Sequence, residues 1–323
     1  MRGRVHRKIG IAGAALCPRY EWLLWEDCPD VAVMRGYIAV LISAMVMMFT
    51  ASCSLAPRDS DNVKGLEEVR FSPASIKQGV WSPDEFERAE RGGIFFLDAP
   101  VARRTAVLFI HGINGSPLDF KFLIAHLDRS RFQPCVFFYA SGASLSQSGR
   151  DLAVAIGEVH SRYDVESLVI VAHSIGGLIA RDVVLNQSAH AGVDIPVLIT
   201  MSSPWGGVPS AGLGVRLSPV VIDSWRDIAV GSPYLSSLFA RQLPAATRHY
   251  LLFSYRKSWS SFGLSGDAVT SVASQLERTA QEQAYRVYGF DVSHSEILRS
   301  RSVADVLDEA LRSTLLARTE VAP

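Results

Sequence analysis

Short runs of β-branched, aromatic and aliphatic residues recur from position 93 onward. They are GIFFLDA (93–99), TAVLFIHG (105–112), PCVFFYA (134–140), SLVIVAHS (167–174), PVLITMSS (196–203) and HYLLFSY (249–255), with a strand-like stretch from Tyr285 to Phe290. Runs that stay apolar, instead of alternating with polar residues, predict strands covered on both faces. Between them apolar residues fall at three- and four-residue spacing, as in Phe120, Leu123, Ile124 and Leu127 or Leu152, Ile156 and Val159, which predicts helices. A last helix is expected from about Ile297 to Leu316. Strands alternating with helices predict an α/β fold: a doubly wound, mostly parallel sheet joined by right-handed crossovers. Residues 92–323 form this domain, with no internal repeat or low-complexity tract. One stretch interrupts the alternation: residues 208–247 mix Gly and Pro with Leu213, Val220, Val221, Ile222, Trp225, Tyr234, Leu235, Leu238 and Phe239. It reads either as a small cap or lid insertion or as a pair of core-packing helices.

The amino-terminal third has a different pattern. From Gly36 to Phe49 the chain is almost wholly apolar, with Arg35 before it and Thr50-Ala51-Ser52-Cys53 after it, the layout of an export signal ending at small residues. The run is shorter than the roughly 20 residues that cross a bilayer comfortably. Small residues before a cysteine resemble the bacterial lipobox, with Thr50 where that pattern usually has Leu; the resemblance implies lipidation of Cys53. A retained anchor and a plain signal peptide are the other readings, and all three export the domain. Met34-Arg35 abuts the apolar run, whereas residues 1–33 place Glu21, Glu26, Asp27 and Asp30 upstream of it. Translation is therefore expected to begin at Met34, with residues 1–33 an extension outside the signal (34–53); a long cytoplasmic extension is the alternative. Residues 54–91, with Pro57, Pro73 and Pro83, read as a tether and entry segment. The expected location is a lipid-anchored bacterial envelope, at the outer membrane.

Composition narrows the function. Lys and Arg total 32 against 32 for Asp and Glu, and no helix-like segment carries a basic stripe, so a nucleic-acid partner is not expected. Of four cysteines, Cys17 and Cys28 lie upstream of the signal, Cys53 takes the lipid and Cys135 sits in an apolar run. Cys135 is read as a small core residue without a catalytic role.

The chemistry gathers at Ala172-His173-Ser174-Ile175-Gly176, which follows the strand-like Leu168 to Val171 and opens a helix-like stretch at Gly176 to Ala180. Small residues two before and two after a serine allow a tight strand-to-helix turn that lifts Oγ to the edge of a sheet. A serine capping an ordinary helix is the bland alternative. In spacing and context the segment resembles the nucleophile elbow of the α/β-hydrolase superfamily, in its lipase and inositol-deacylase-like branch; Ala172 stands where Gly is commoner. The resemblance covers about Gly92 to Leu316. It implies the α/β-hydrolase fold, a Ser174 nucleophile and hydrolysis of carboxylic esters, lipidic ones above all. It also implies an oxyanion hole built from the backbone N–H groups of Ile113, after the His111-Gly112 pair, and of Ile175. His111 then shapes the oxyanion loop.

In this family the order is nucleophile, acid, histidine, so the base follows Ser174. His190 falls just after the elbow helix and His249 begins an apolar strand, which leaves His294 in the polar loop Asp291-Val292-Ser293-His294-Ser295-Glu296. The resemblance places the acid at Asp267, in Gly266-Asp267-Ala268-Val269, where lipase-like hydrolases carry Gly-Asp-x-Val. Asp291 is the runner-up. Met201 to Gly207 resembles a Ser-Pro-aromatic-x-Gly segment beside the nucleophile, in which Trp205 either stacks on an acyl chain or packs the core; Trp225 and Phe239 are candidate acyl-binding residues. No metal spacing, phosphate loop or cofactor motif is present, and the expected partners are an ester or lipid substrate and, through Cys53, a membrane. Phospholipase and acyltransferase activities use the same machinery. A noncatalytic envelope protein that keeps the fold as a binding module is the rival from another class.

Overall fold

The computed structural model describes residues 65–67, 69–101, 104–186, 192–256 and 270–319. The expected signal (34–53) with Cys53, and likewise His190 and Asp267, lie outside these. The described residues are built on a seven-stranded sheet, β1 (Gly93–Phe96), β2 (Thr105–Ile110), β3 (Phe132–Phe138), β4 (Ser167–His173), β5 (Asp194–Met201), β6 (Arg248–Ser254) and β7 (Arg286–Phe290), in the order β1-β3-β2-β4-β5-β6-β7. β1 runs antiparallel to β3; every other pairing is parallel. This is the α/β-hydrolase architecture, and each expected strand has its counterpart in the sheet. β2 and β4 are neighbours, Ile110 opposite Ala172, although the chain leaves β2 for β3 on the other side. A reversal of strand order of this kind opens a crevice at the carboxyl ends of the two strands, where open α/β sheets bind ligands.

The central strands β2, β3 and β4 are buried along their whole length, and alternate residues feed two cores. Leu108, Ile110, Phe137, Ile170 and Ala172 face one core. Closing it are the helices Leu145–Tyr163 (α2) and Ile175–Asn186 (α3). Val107, Phe109, Val136, Val171 and Ile199 face the other core, which includes Phe120, Leu123, Leu307 and Leu311, the last two from helix Arg301–Thr319 (α7). At roughly 25 cal/mol per Å² of apolar surface buried, such a two-sided sheet is the main source of stability. α2 starts at Ser144, whose hydroxyl accepts from the Gln147 N–H, and stops at Asp164, in the left-handed region at φ 54°.

Two segments take a form that the sequence pattern left open. The entry segment contains helix α1 (Pro73–Trp81) and a shorter turn at Pro83–Arg88. Both prolines occupy the first helical position, where the missing N–H costs nothing, so they start helices and do not break them. Phe71 and Phe86 are buried with ring edges on Phe138. Gly142 lets this segment approach, because a Cβ there would lie 1.9 Å from the Val80 carbonyl oxygen.

The 208–247 stretch forms three short helices, α4 (Pro209–Leu217), α5 (Asp223–Ile228) and α6 (Pro233–Leu238). Val208, Ala211, Ile228, Tyr234, Leu235 and Leu238 bury themselves in the core that α2 and α3 close, so the insertion is packed and also serves as the crossover from β5 to β6. Arg181 of α3 fixes it from below. Its guanidinium donates to the carbonyls of Leu238 (2.9 Å) and Arg241 (3.3 Å) and to Gln283 Oε1 (2.6 Å), and lies 4.8 Å from the Phe239 ring centre. Burial pulls the Arg181 pKa down to about 10, so the side chain stays charged at neutral pH. Among the described residues no helix is long and apolar enough to cross a membrane.

Candidate active site

β4 ends at His173 and α3 begins at Ile175, so Ser174 alone makes the turn between strand and helix. It does so at φ 54°, a left-handed conformation that a non-glycine residue adopts only where its surroundings hold it. Here the Ser174 N–H donates to the Met201 carbonyl (2.9 Å) and its own carbonyl accepts from the Gly177 N–H (3.0 Å). The glycines that follow are required by space. A Cβ at Gly176 would lie 2.6 Å from the carbonyl oxygens of both Ile110 and His111, and one at Gly177 would lie 2.1 Å from Ser203 Oγ. Ala172 is fully buried beside Ile110 and Thr200, with its single methyl in the core.

The loop after β2 arrives at the same point. A Cβ on Gly112 would sit 2.8 Å from Ser174 Cβ and 3.4 Å from Ser174 Oγ, so only glycine lets the backbone pass this close to the serine. Ile113 is the next residue. Neither its N–H nor that of Ile175 has a hydrogen-bond acceptor among the described residues, and the Ile175 N–H opens helix α3, where the macrodipole favours negative charge. The loop is held by its neighbours: the Tyr139 hydroxyl donates to the His111 carbonyl (2.8 Å), the Asn114 N–H to Ser141 Oγ (3.1 Å) and the Ser116 N–H to Asp119 Oδ2 (2.9 Å).

A third element completes the cluster. His294, half-buried in the loop after β7, lies beside the elbow: its carbonyl accepts from His173 Nε2 (2.9 Å) and the two imidazole centres are 4.7 Å apart. Thus a serine in a strained turn, a close-passing glycine loop and a histidine-bearing loop meet at the carboxyl ends of β2, β4 and β7.

A family model described as "Putative serine esterase (DUF676)" matches residues 103–266, half of the 323-residue chain, including the His111–Ser116 loop and Ser174. The chain belongs to this family. The reaction class that the family's description carries is serine ester hydrolysis. Among solved structures, the mature lipase BlEst2 of Bacillus licheniformis is similar at 17% identity and a TM-score of 0.53, over 67% of this chain and 96% of that one. The gene lin2722 product of Listeria innocua is similar at 14% identity and a TM-score of 0.50, over 64% and 94%. At these identities the likeness is one of fold. No curated protein matches the chain.

Within this serine esterase family member His249 and His111 are set apart from His294 by burial. His249 lies inside the core with Nε2 2.9 Å from Thr200 Oγ1, and burial lowers its pKa to about 3. His111, stacked on Tyr139 at 4.4 Å, is lowered to about 4 by the same cause. Both imidazoles are therefore neutral at pH 7. In the unfolded chain they titrate near 6.5, so the unfolded state binds more protons below that pH and stability falls as pH drops toward 4. Asp119 opposes this in part: burial raises its carboxyl from 3.8 to about 6, so between those values the folded state holds the extra proton. A thermal unfolding midpoint that declines on acidification below pH ~6.5, with a shallower slope in His249→Gln, is the expected result.

The runner-up acid Asp291 is exposed and paired with Arg256 (Nε to Oδ1, 3.3 Å). Arg256 also reaches Glu296 (2.8 Å), which accepts from the Ser293 N–H (2.9 Å), so ion pairs on both sides brace the His294 loop. Trp205 is 1% exposed and packs edge-on against Phe239 (6.2 Å) and His249 (5.7 Å); its surroundings are those of a core residue. Trp225 is half-buried edge-on to Trp81 (6.0 Å), and Phe239 lies under Arg181.

His173, Tyr139, Ser141 and Arg256 escaped the sequence reading. His173 was visible only as the unconstrained second letter of the elbow, and the other three contribute through contacts that no local pattern announces. Among the described residues no group of three His, Cys, Asp or Glu side chains is arranged to hold a metal ion.

Proposed function

We propose that the protein is a carboxylic ester hydrolase acting on lipidic esters through an acyl-enzyme on Ser174. The observation that carries this reading is the strained elbow at φ 54° directly beneath the Gly112 backbone. A serine needs no such conformation to cap a helix, whereas a nucleophile needs its Oγ held beside N–H donors. His294 takes the Ser174 proton as Oγ attacks the ester carbonyl, and the N–H groups of Ile113 and Ile175 bind the oxyanion. The imidazolium then protonates the leaving alkoxide, and water, deprotonated by the same imidazole, releases the acid. Asp267 holds the tautomer of His294. Each oxyanion donor is worth about 3 to 4 kcal/mol of barrier.

A lipidic substrate is supported by the insertion between β5 and β6, where Leu213, Leu217, Val220 and Val230 are each at least 49% exposed. Apolar side chains left exposed along this insertion suit an apolar substrate phase. A fluorophosphonate probe should label the wild-type protein at Ser174, and an ester series from short to long acyl chains should be hydrolysed with a preference for the longer members. A folded protein that neither reacts with the probe nor turns over any ester would make it a binding module, and preference for an added alcohol over water would make it an acyltransferase.

The same proposal places the protein at the bacterial outer membrane as a lipoprotein acylated on Cys53, supported by the apolar run from Gly36 to Phe49 and the small residues before the cysteine. Cys53→Ser should abolish palmitate incorporation and release the protein from the membrane fraction. Retention of an unlipidated protein would indicate an uncleaved anchor.

A further inference from the structure

We propose that His173, the residue before the nucleophile, is a positioning residue that holds the His294 loop over Ser174. The inference rests on the reading of Ser174 and His294 as nucleophile and base. His173 closes β4 with its backbone paired to Met201 of β5. Its side chain is 7% exposed, and a backbone carbonyl accepts but never donates. The 2.9 Å contact to the His294 carbonyl therefore fixes the proton on His173 Nε2. The opposite edge of the ring faces the oxyanion loop: Nδ1 lies 3.2 Å from where a Gly112 Cβ would be. One imidazole thus spans from the oxyanion loop to the base loop, across 121 residues of sequence separation. The ring also packs against the His294 ring at 4.7 Å with the planes tilted by 54°, which limits where the base can swing.

The loop needs such a tether. Its contacts with Arg256 are two surface ion pairs, to Asp291 and Glu296, each worth little by itself, and a backbone bond from the Arg256 N–H to the Val292 carbonyl (3.2 Å), two residues before the base. The His173 contact is the more sheltered, and it acts on the base residue's own backbone. A shift of about 1 Å in a reacting group can cost on the order of a hundredfold in rate. The role is therefore one of geometry: His173 touches neither the ester nor the proton in flight.

The test compares His173→Phe, which keeps an aromatic ring beside His294 without the donor, with His173→Gln, whose Nε2 can donate from a similar reach. His173→Phe should lose roughly tenfold to a hundredfold in kcat with KM within about threefold of wild type, and should react more slowly with the fluorophosphonate probe by a similar factor. His173→Gln should recover most of both losses. Wild-type kcat in His173→Phe, or a glutamine variant no better than phenylalanine, would overturn the proposal. If His173→Phe fails to fold, as judged by its thermal transition, His173→Asn replaces it, because its shorter side chain carries the same amide without the reach. Equal kcat in the asparagine and glutamine variants would then overturn it. Failure of the underlying reading looks different: the wild type itself would be inert to the probe, or Ser174→Ala would retain activity.

Discussion

Ser174→Ala should fold like the wild type and lose at least about a thousandfold of its ester hydrolysis, together with all fluorophosphonate labelling. The size follows from the mechanism. Without Oγ there is no acyl-enzyme, and what survives is whatever the oxyanion donors and binding supply to direct attack by water, which in serine hydrolases is a residual about 10³ to 10⁴ above the uncatalysed rate. Stability should hold or rise slightly. Ser174 is 4% exposed and in the left-handed region, and alanine keeps that backbone without its hydroxyl. The strain belongs to the turn, which Gly176 and the Ser174 N–H bond to Met201 hold in place. Measured kcat/KM on one ester for both proteins, with matched unfolding midpoints, checks it. Equal rates would remove Ser174 as the nucleophile and leave the elbow as a structural turn.

Much of this was legible before any coordinates, for reasons that differ by element. The strands are buried on both faces, so their sequences are nearly continuous apolar runs that stand out against the amphipathic helices. The direction of β1 was not legible: GIFFLDA reads the same parallel or antiparallel, and only its pairing of Gly93 with Phe138 decides it. The entry helices are not legible in the mixed, polar pattern of residues 54–91, although Ser-Pro at a helix start is a capping signal and the Ser72 hydroxyl does accept from the Ser75 N–H. The elbow was legible because its demand for small residues is local. Gly112 was read as part of a motif, and the structure supplies the physical reason, a backbone passing under van der Waals distance of where any side chain would begin. His249 shows the limit of pattern: chain order and an apolar strand set it aside, and the structure adds a cause, burial deep enough to keep it from taking a proton at working pH.

Within the same proposal, replacement of the two candidate acids should separate them by orders of magnitude. Asp267→Ala is expected to lower kcat about 10⁴-fold, because without a carboxylate the imidazole is free to take the wrong tautomer and the imidazolium that forms during attack loses its counter-charge. Asp291→Ala should cost less than about threefold. Asp291 faces solvent, its charge is already answered by Arg256 at 3.3 Å, and an exposed pair of this kind is worth at most about 1 kcal/mol. It also lies three residues from His294 on the same loop, and its pairing with Arg256 points its carboxylate to that neighbour. The loop keeps a second brace when Asp291 is removed, since Arg256 still reaches Glu296 and Glu296 still accepts from the Ser293 N–H. The pH profile distinguishes a lost acid from a merely loosened loop. In Asp267→Ala the residual rate should climb toward alkaline pH, where hydroxide takes over part of the proton transfer, while a loosened loop lowers the rate evenly across the range. Should Asp291→Ala carry the large loss and Asp267→Ala the small one, the two roles exchange, and the Arg256 pair becomes a gate that the carboxylate must leave before it can serve His294.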